Sequence, residues 1–284
     1  MTPRAPGAVG RPLRIGLTFA FPLAFILAPL AAFLVYSLFR VEANRIVPDL
    51  TLANYVKFFT DPIYIRVFNG TVLLAAEVMG IGLLLGYPVA LFIWRRPARL
   101  RYPLLLVCIL PLFMSYIIKL YAVRALLGLH GFLNQALVWL GVLEAPSMLF
   151  LFNQTAVLIT MAVVYLPFAI LPIFLSLERI PRALILASAD LGGRPGQTFR
   201  HVVLPLSLPG TIVGGLFAFI LALGDFVTPQ MVGGTAGFTY GRVIQSQIGM
   251  GFNWPFAAAL STILLVASLA VIVLAGRLNR RSRV

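Results

Sequence analysis

Three ionisable side chains stand inside long apolar runs: Glu77 in TVLLAAEVMGIGLLLG, Lys119 in SYIIKLYAV and Asp225 in LALGDFVTP. A charge in hydrocarbon is costly, so such residues mark solute pathways or interhelical pairs. Glu77 and Asp225 together suit a cationic solute, with Tyr116, Phe217, Phe219, Phe226 and Trp254 as aromatic faces for it. Other roles compete. Glu77 and Lys119 can pair with each other, Asp225 can cap a helix end, and phenylalanines at helical spacing can simply pack. Lys119 facing a pathway unpaired would oppose a cation. Other chemistries find no support. His130 and His201 are far apart and Cys108 is the single cysteine, which leaves neither a metal cluster nor a disulfide within the chain. There is no Gly-x-x-x-x-Gly-Lys-Ser/Thr loop and no nucleophile elbow, so the chain is not expected to hydrolyse ATP or act as an enzyme.

The elements that position these residues are membrane spans. The 284 residues are 61% hydrophobic and only 11% charged, against about a quarter charged in a soluble domain. Six segments are long and apolar enough to cross a bilayer: 15–39, 70–94, 103–126, 151–176, 206–228 and 254–276. Pro22, Pro29, Pro111, Pro167 and Pro172 are expected kink sites, tolerated in membrane helices. The first run is longer than the 7–15 apolar residues typical of a cleaved signal and lacks a small-residue cleavage site, which favours an uncleaved span. The expected organisation is a tail at 1–14, a six-span domain at 15–276 with a polar loop at 177–205, and a tail at 277–284.

The net charge of +14 follows topology rather than nucleic acid. Arg4, Arg11 and Arg14 precede the first span. Arg95, Arg96, Arg99 and Arg101 join spans two and three. Arg179, Arg182, Arg194 and Arg200 lie in the 177–205 loop, and Arg277, Arg280, Arg281 and Arg283 follow span six. With six spans these regions share one side, so both termini are expected in the cytoplasm. The intervening loops are balanced or poor in charge. In that orientation Glu77 lies roughly 12 Å into span two from the outer face at about 1.5 Å per residue. Lys119 and Asp225 also fall in the outer half.

The stretch ASADLGGRPGQTFRHVVLPLSLPG, residues 187–210, is therefore cytoplasmic. Pro181 can open a helix over RALILASADL. Gly192 and Gly193 can end it, QTFRHVV can form a second short helix, and the Leu204-Pro205 and Leu208-Pro209 pairs are expected to break that helix before span five. A helix, a glycine turn and a second helix outside the membrane suit a docking knob for another protein better than a plain loop.

At these residues the chain resembles the permease subunits of ABC importers. Their cytoplasmic loop carries Glu-Ala-Ala, three residues, Gly, nine residues, Ile, any residue, Leu-Pro. Here the register falls on Leu186-Ala187-Ser188, Gly192, Val202 and Leu204-Pro205, with Leu186 in place of Glu and Ser188 in place of the second Ala. Asp190-Leu191-Gly192 also looks like the family. LPLFMSYIIKLYAVRALLGLHGFLN (110–134), LGDFVTPQMVGG (223–234) and FNWPFAAALS (252–261) look like the spermidine/putrescine-type subgroup. The resemblance implies an all-α membrane protein of the type I importer permease fold, with six transmembrane helices and a cytoplasmic coupling helix. It implies contacts to an ATPase through Ala187, Ser188, Asp190, Leu191, Gly192, Arg194, Pro195, Phe199, Leu204 and Pro205. It further implies a second permease subunit, similar or identical, with a heterodimer favoured, two cytoplasmic ATPase subunits that hold the ATP and Mg, and an external solute-binding protein. The solute pathway is then expected along Glu77, Tyr116, Lys119, Phe217, Asp225 and Trp254, for a polyamine or another small organic solute. Gly214, Gly215 and Gly224 are candidates for close approach at the subunit interface, or equally for merely thinning the helix. The rival reading is an ion-gradient-driven secondary transporter, which accounts for spans and buried charges but not for the knob, and no inverted repeat is evident.

Overall fold

The computed structural model describes residues 10–42 and 45–281. Residues 1–9 and 282–284 of the two expected tails lie outside the described residues. The chain forms two compact units, one of residues 1–61 with 246–263 and one of residues 62–245 with 264–284.

In the first unit, helix α1 (Gly10–Tyr36) is followed by a short antiparallel hairpin, β1 (Arg40–Glu42) with β2 (Arg45–Val47), and by α2 (Ala53–Thr60). The hairpin departs from the all-helical expectation. It is tied by Arg40, which reaches Glu42 at 2.9 Å and Asp49 at 3.3 Å. The exit of α1 is satisfied by α2: the Asn54 amide donates to the carbonyls of Ser37 at 2.8 Å and Phe39 at 2.7 Å. This answers the need of terminal helical carbonyls for donors.

The second unit is a helical bundle. Its elements are α3 (Pro62–Trp94), α4 (Ala98–Ile109), α5 (Tyr116–Leu127), α6 (Phe132–Trp139), α7 (Gln154–Glu178), α8 (Arg182–Asp190), α9 (Pro195–Thr198), α10 (Leu204–Gly224) and α11 (Val227–Val232). α12 (Tyr240–Gly249) and α13 (Trp254–Arg281) each belong partly to both units. The helices α3, α7 and α10 pack on one another around two apolar clusters. One holds Leu74, Leu120, Met161 and Phe219, and the other holds Ile93, Leu105, Phe174 and Leu177. The most enclosed helix is α7, begun by Asn153, whose side chain accepts from the Ala156 N–H at 2.8 Å.

Small residues set the spacing, as in membrane bundles generally. A Cβ on Gly214 would lie 2.7 Å from the Ala169 carbonyl of α7, and one on Gly215 would lie 3.0 Å from Leu83 of α3. These two glycines therefore serve close packing inside the chain, which corrects their expected place at a subunit interface. Gly224 has open space around it.

Among the described residues, five stretches are long and apolar enough to cross a membrane: Pro62–Trp94, Tyr116–Trp139, Gln154–Glu178, Pro195–Gly224 and Trp254–Arg277; Pro22–Tyr36 is a shorter apolar helix. The expected span at 103–126 is not one helix. It breaks after α4 into a 3₁₀ turn, Leu110–Phe113, and an extended Met114–Ser115 before α5. Pro111 has no N–H to continue the α-helical ladder. The expected span at 70–94 is part of a longer helix, so Glu77 lies near the midpoint of the 33-residue α3 rather than toward one end.

Candidate functional site

Two clusters gather the residues singled out above: an elbow at the arginine-rich end of the bundle, and a polar knot inside it.

The elbow begins at α8, which has no buried residue. Its end is shaped by backbone chemistry. Gly192 takes φ +79°, its N–H donates to the Ala189 carbonyl at 2.9 Å, and the Gly193 N–H donates to the Ser188 carbonyl at 2.9 Å. This pair of bonds is the Schellman closure that a left-handed glycine permits. After the turn, α9 starts at Pro195, and Gln197 Oε1 accepts from the Arg194 N–H at 2.8 Å. One side-chain pair spans the elbow: Ser188 Oγ to Thr198 Oγ1 at 2.9 Å, with Thr198 buried. Ser188 is the residue that departs from the family's Ala, and here it forms the latch. At the tip, Leu191 is 89% exposed. Ala187, Asp190, Gly192, Arg194, Pro195 and Pro205 are also exposed, and Leu204 is at the margin.

Two expectations about the elbow change. The second helix does not stop at Leu204-Pro205. It continues from Pro195 to Gly224 through a π-helical turn, Phe199–Val203, whose wider spacing lets the Leu204 N–H reach the Phe199 carbonyl and leads Pro205 into the first turn of α10, where its missing N–H is least felt. Phe199 also turns inward. It meets Tyr87 of α3 edge-on, with ring centroids 6.0 Å apart, and joins the apolar cluster at that end. Nearby, Tyr102 donates to Glu178 Oε1 at 2.7 Å, and this carboxylate raises the Tyr102 phenol above its usual range.

The knot is centred on Asp225, 7% exposed. Its Oδ1 accepts from the N–H groups of Val227 at 2.9 Å and Thr228 at 3.1 Å, capping α11. Its Oδ2 accepts from the hydroxyls of Tyr116 at 2.6 Å and Tyr165 at 2.9 Å. Thr228 Oγ1 lies 2.7 Å from the Tyr116 hydroxyl, and the two tyrosine rings stack nearly parallel. A carboxylate in an apolar bundle requires this degree of satisfaction. The knot joins α5, α7, α10 and α11. Tyr165 and Thr228 were not anticipated. The signal for the cap was present, since Asp225 precedes Val227, Thr228 and Pro229, a helix start with proline in its first turn.

The other pathway candidates are placed as follows. Lys119 Nζ lies 5.6 Å from the centroid of the Tyr116 ring. Among the described residues it makes no ion pair with Glu77, so the expected interhelical pair is not formed. Glu77 is exposed on α3 and Phe217 is 49% exposed on α10. Trp254 opens α13 and is 46% exposed, in the other compact unit. No cluster of metal-ligating side chains occurs among the described residues.

Known proteins share both sequence and architecture with this chain. The family described as binding-protein-dependent transport system inner membrane component matches residues 80–284. The spermidine/putrescine transport system permease protein PotB of Escherichia coli K12 is 34% identical over 235 residues, covering 82% of this chain and 85% of its own. PotB of Haemophilus influenzae is 32% identical over 269 residues, covering 94% and 93%. A solved bacterial alginate ABC transporter, in complex with an alginate pentasaccharide-bound periplasmic protein, superposes with a TM-score of 0.73 at 19% identity over 95% of this chain and 93% of that one.

Proposed function

Given that this chain belongs to the family of binding-protein-dependent transport inner membrane components, and is a multi-pass, non-enzymatic permease subunit of an ABC importer, we propose that it forms half of a pore for a polyamine of the spermidine/putrescine type. A distinct second permease supplies the other half. Two ATPase subunits, which hold the ATP and Mg, dock on the two elbows from the cytoplasm. An external solute-binding protein delivers the solute to the opposite face. Both termini lie in the cytoplasm with the arginine-rich loops.

One observation carries this reading. The elbow at 182–203 is geometrically fixed although no residue of α8 is fully buried, and it presents Leu191 at its tip. A protruding, shaped apolar contact rimmed by Asp190 and Arg194 suits a protein partner. Its continuous helix into α10 gives a lever that carries motion of the docked ATPase to the bundle. The solute assignment rests on the kinship with PotB and on the chemistry of the bundle. Glu77 is an exposed acid at mid-helix, whereas Asp225 is fully engaged and acts by holding Tyr116. Phe217, 49% exposed, offers a ring face to a cation. Uptake of labelled putrescine and spermidine by the assembled transporter tests the proposal. Glu77→Gln is expected to lower kcat/KM for uptake by at least about tenfold, the loss of one desolvated charge contact, with the ATPase still bound. Unchanged uptake would remove Glu77 from the pathway, and loss of ATPase copurification from the unaltered chain would remove the docking assignment.

A further inference from the structure

At the arginine-rich end of the bundle, separate from the knot and from the tip of the elbow, a cavity of about 710 Å³ opens between the end of α3, the start of α4 and the α7–α8 junction. Its charge is unbalanced. Arg95, Arg96, Arg101 and Arg182 line it against the single acid Glu178. That acid is already engaged, accepting from Tyr102 at 2.7 Å and lying 3.9 Å from Arg101. Among the described residues, neither Arg95 nor Arg182 has an acid within ion-pair distance. Arg101 is itself largely covered, and its Nε is buried with no acceptor. With four guanidinium groups in the lining and one carboxylate that is already engaged, the cavity favours an anion over a cation.

The remaining lining is apolar, with Trp94, Ile180 and Ile185. Outside the pocket, α4 exposes Leu100, Leu106 and Val107, a hydrocarbon-facing surface that begins at the arginines. A tryptophan at the end of a span marks the headgroup level of a bilayer. Basic pockets between spans at that level take phospholipid headgroups. We infer that this cavity binds the phosphate of an anionic phospholipid, with its glycerol end against Trp94 and Ile185 and its acyl chains along α4. A free phosphate shares the charge chemistry but would leave the apolar lining and the α4 surface unused. A protein acid on a docked ATPase would use the arginines without α4.

The test uses the full chain with its partners, purified from membranes containing phosphatidylglycerol and phosphatidylcholine, with bound lipid counted by native mass spectrometry. Phosphatidylglycerol should be retained in preference to phosphatidylcholine. Arg95→Gln combined with Arg182→Gln should weaken retention about twenty-five-fold, the product of two charges each contributing a factor of about five. Arg95→Lys with Arg182→Lys should restore most of it, and Arg277→Gln, outside the cavity, should leave it unchanged. Inorganic phosphate, added as competitor, should not displace the lipid. Displacement would make this a free-phosphate site and overturn the lipid assignment. Equal retention of both lipids, or full retention by the glutamine variant, would overturn it as well. So would loss of the ATPase from that variant without loss of lipid, which would give the arginines to a protein contact. The lipid count is independent of solute uptake, so either proposal can fail while the other stands.

Discussion

The knot and the elbow solve opposite problems with similar chemistry. In the knot, Asp225 accepts four hydrogen bonds from groups on α5, α7 and α11, and every partner is held by packing. In the elbow, α8 has no buried residue and packs on the bundle through Ile185, and its shape comes from two backbone bonds at Gly192–Gly193 and the Ser188–Thr198 latch. Polar groups in the first case hold helices together where water cannot reach. In the second they fix the geometry of a surface whose apolar tip, Leu191, is exposed. The difference separates a region whose stability is internal from one that the proposed function gives to an ATPase contact.

The largest effect should come from cutting the knot. Asp225→Ala leaves two tyrosine hydroxyls and two backbone N–H groups without their acceptor, at a cost of about 3 kcal/mol or more. A lowered unfolding midpoint in detergent, with intact membrane insertion, is the expected result. An unchanged midpoint would mean that the knot does not hold the bundle. Next, Leu191→Asp at the exposed tip should leave that midpoint unchanged while weakening ATPase association about thirtyfold, the scale of one interface hot spot. Titration of purified ATPase onto the reconstituted permease measures it. Equal loss of bundle stability in the two variants would erase the contrast between the regions. The smallest effect should come from Ser188→Ala, which removes a single half-buried latch of about 1 kcal/mol. Faster amide exchange over 182–193 at an unchanged bundle midpoint is expected.

Much of this was legible in the residues, for reasons that differ by element. The elbow could be read because left-handed turns require glycine, and Gly192-Gly193 stands where a helix must end. The long apolar stretches could be read because a bilayer demands length and hydropathy from each segment alone. What escaped depends on partners distant in sequence. Tyr165 looks like any aromatic in an apolar run, and only the fold brings it to Asp225, sixty residues away. The continuity of α9 with α10 escaped because a π turn redirects the hydrogen bonds around Pro205, an outcome that proline alone argues against. The break at Leu110–Ser115 was masked by uniform hydropathy, although Pro111 marked the place.

Amide hydrogen exchange across residues 182–203, compared between the permease alone and the complete transporter, tests the central assignment most directly. The account predicts strong new protection centred on Ala187–Gly192 when the ATPase is present, with the region around Asp225 equally protected in both states. Exchange at Ala187–Gly192 that stays as fast in the complete transporter as in the isolated chain would contradict it.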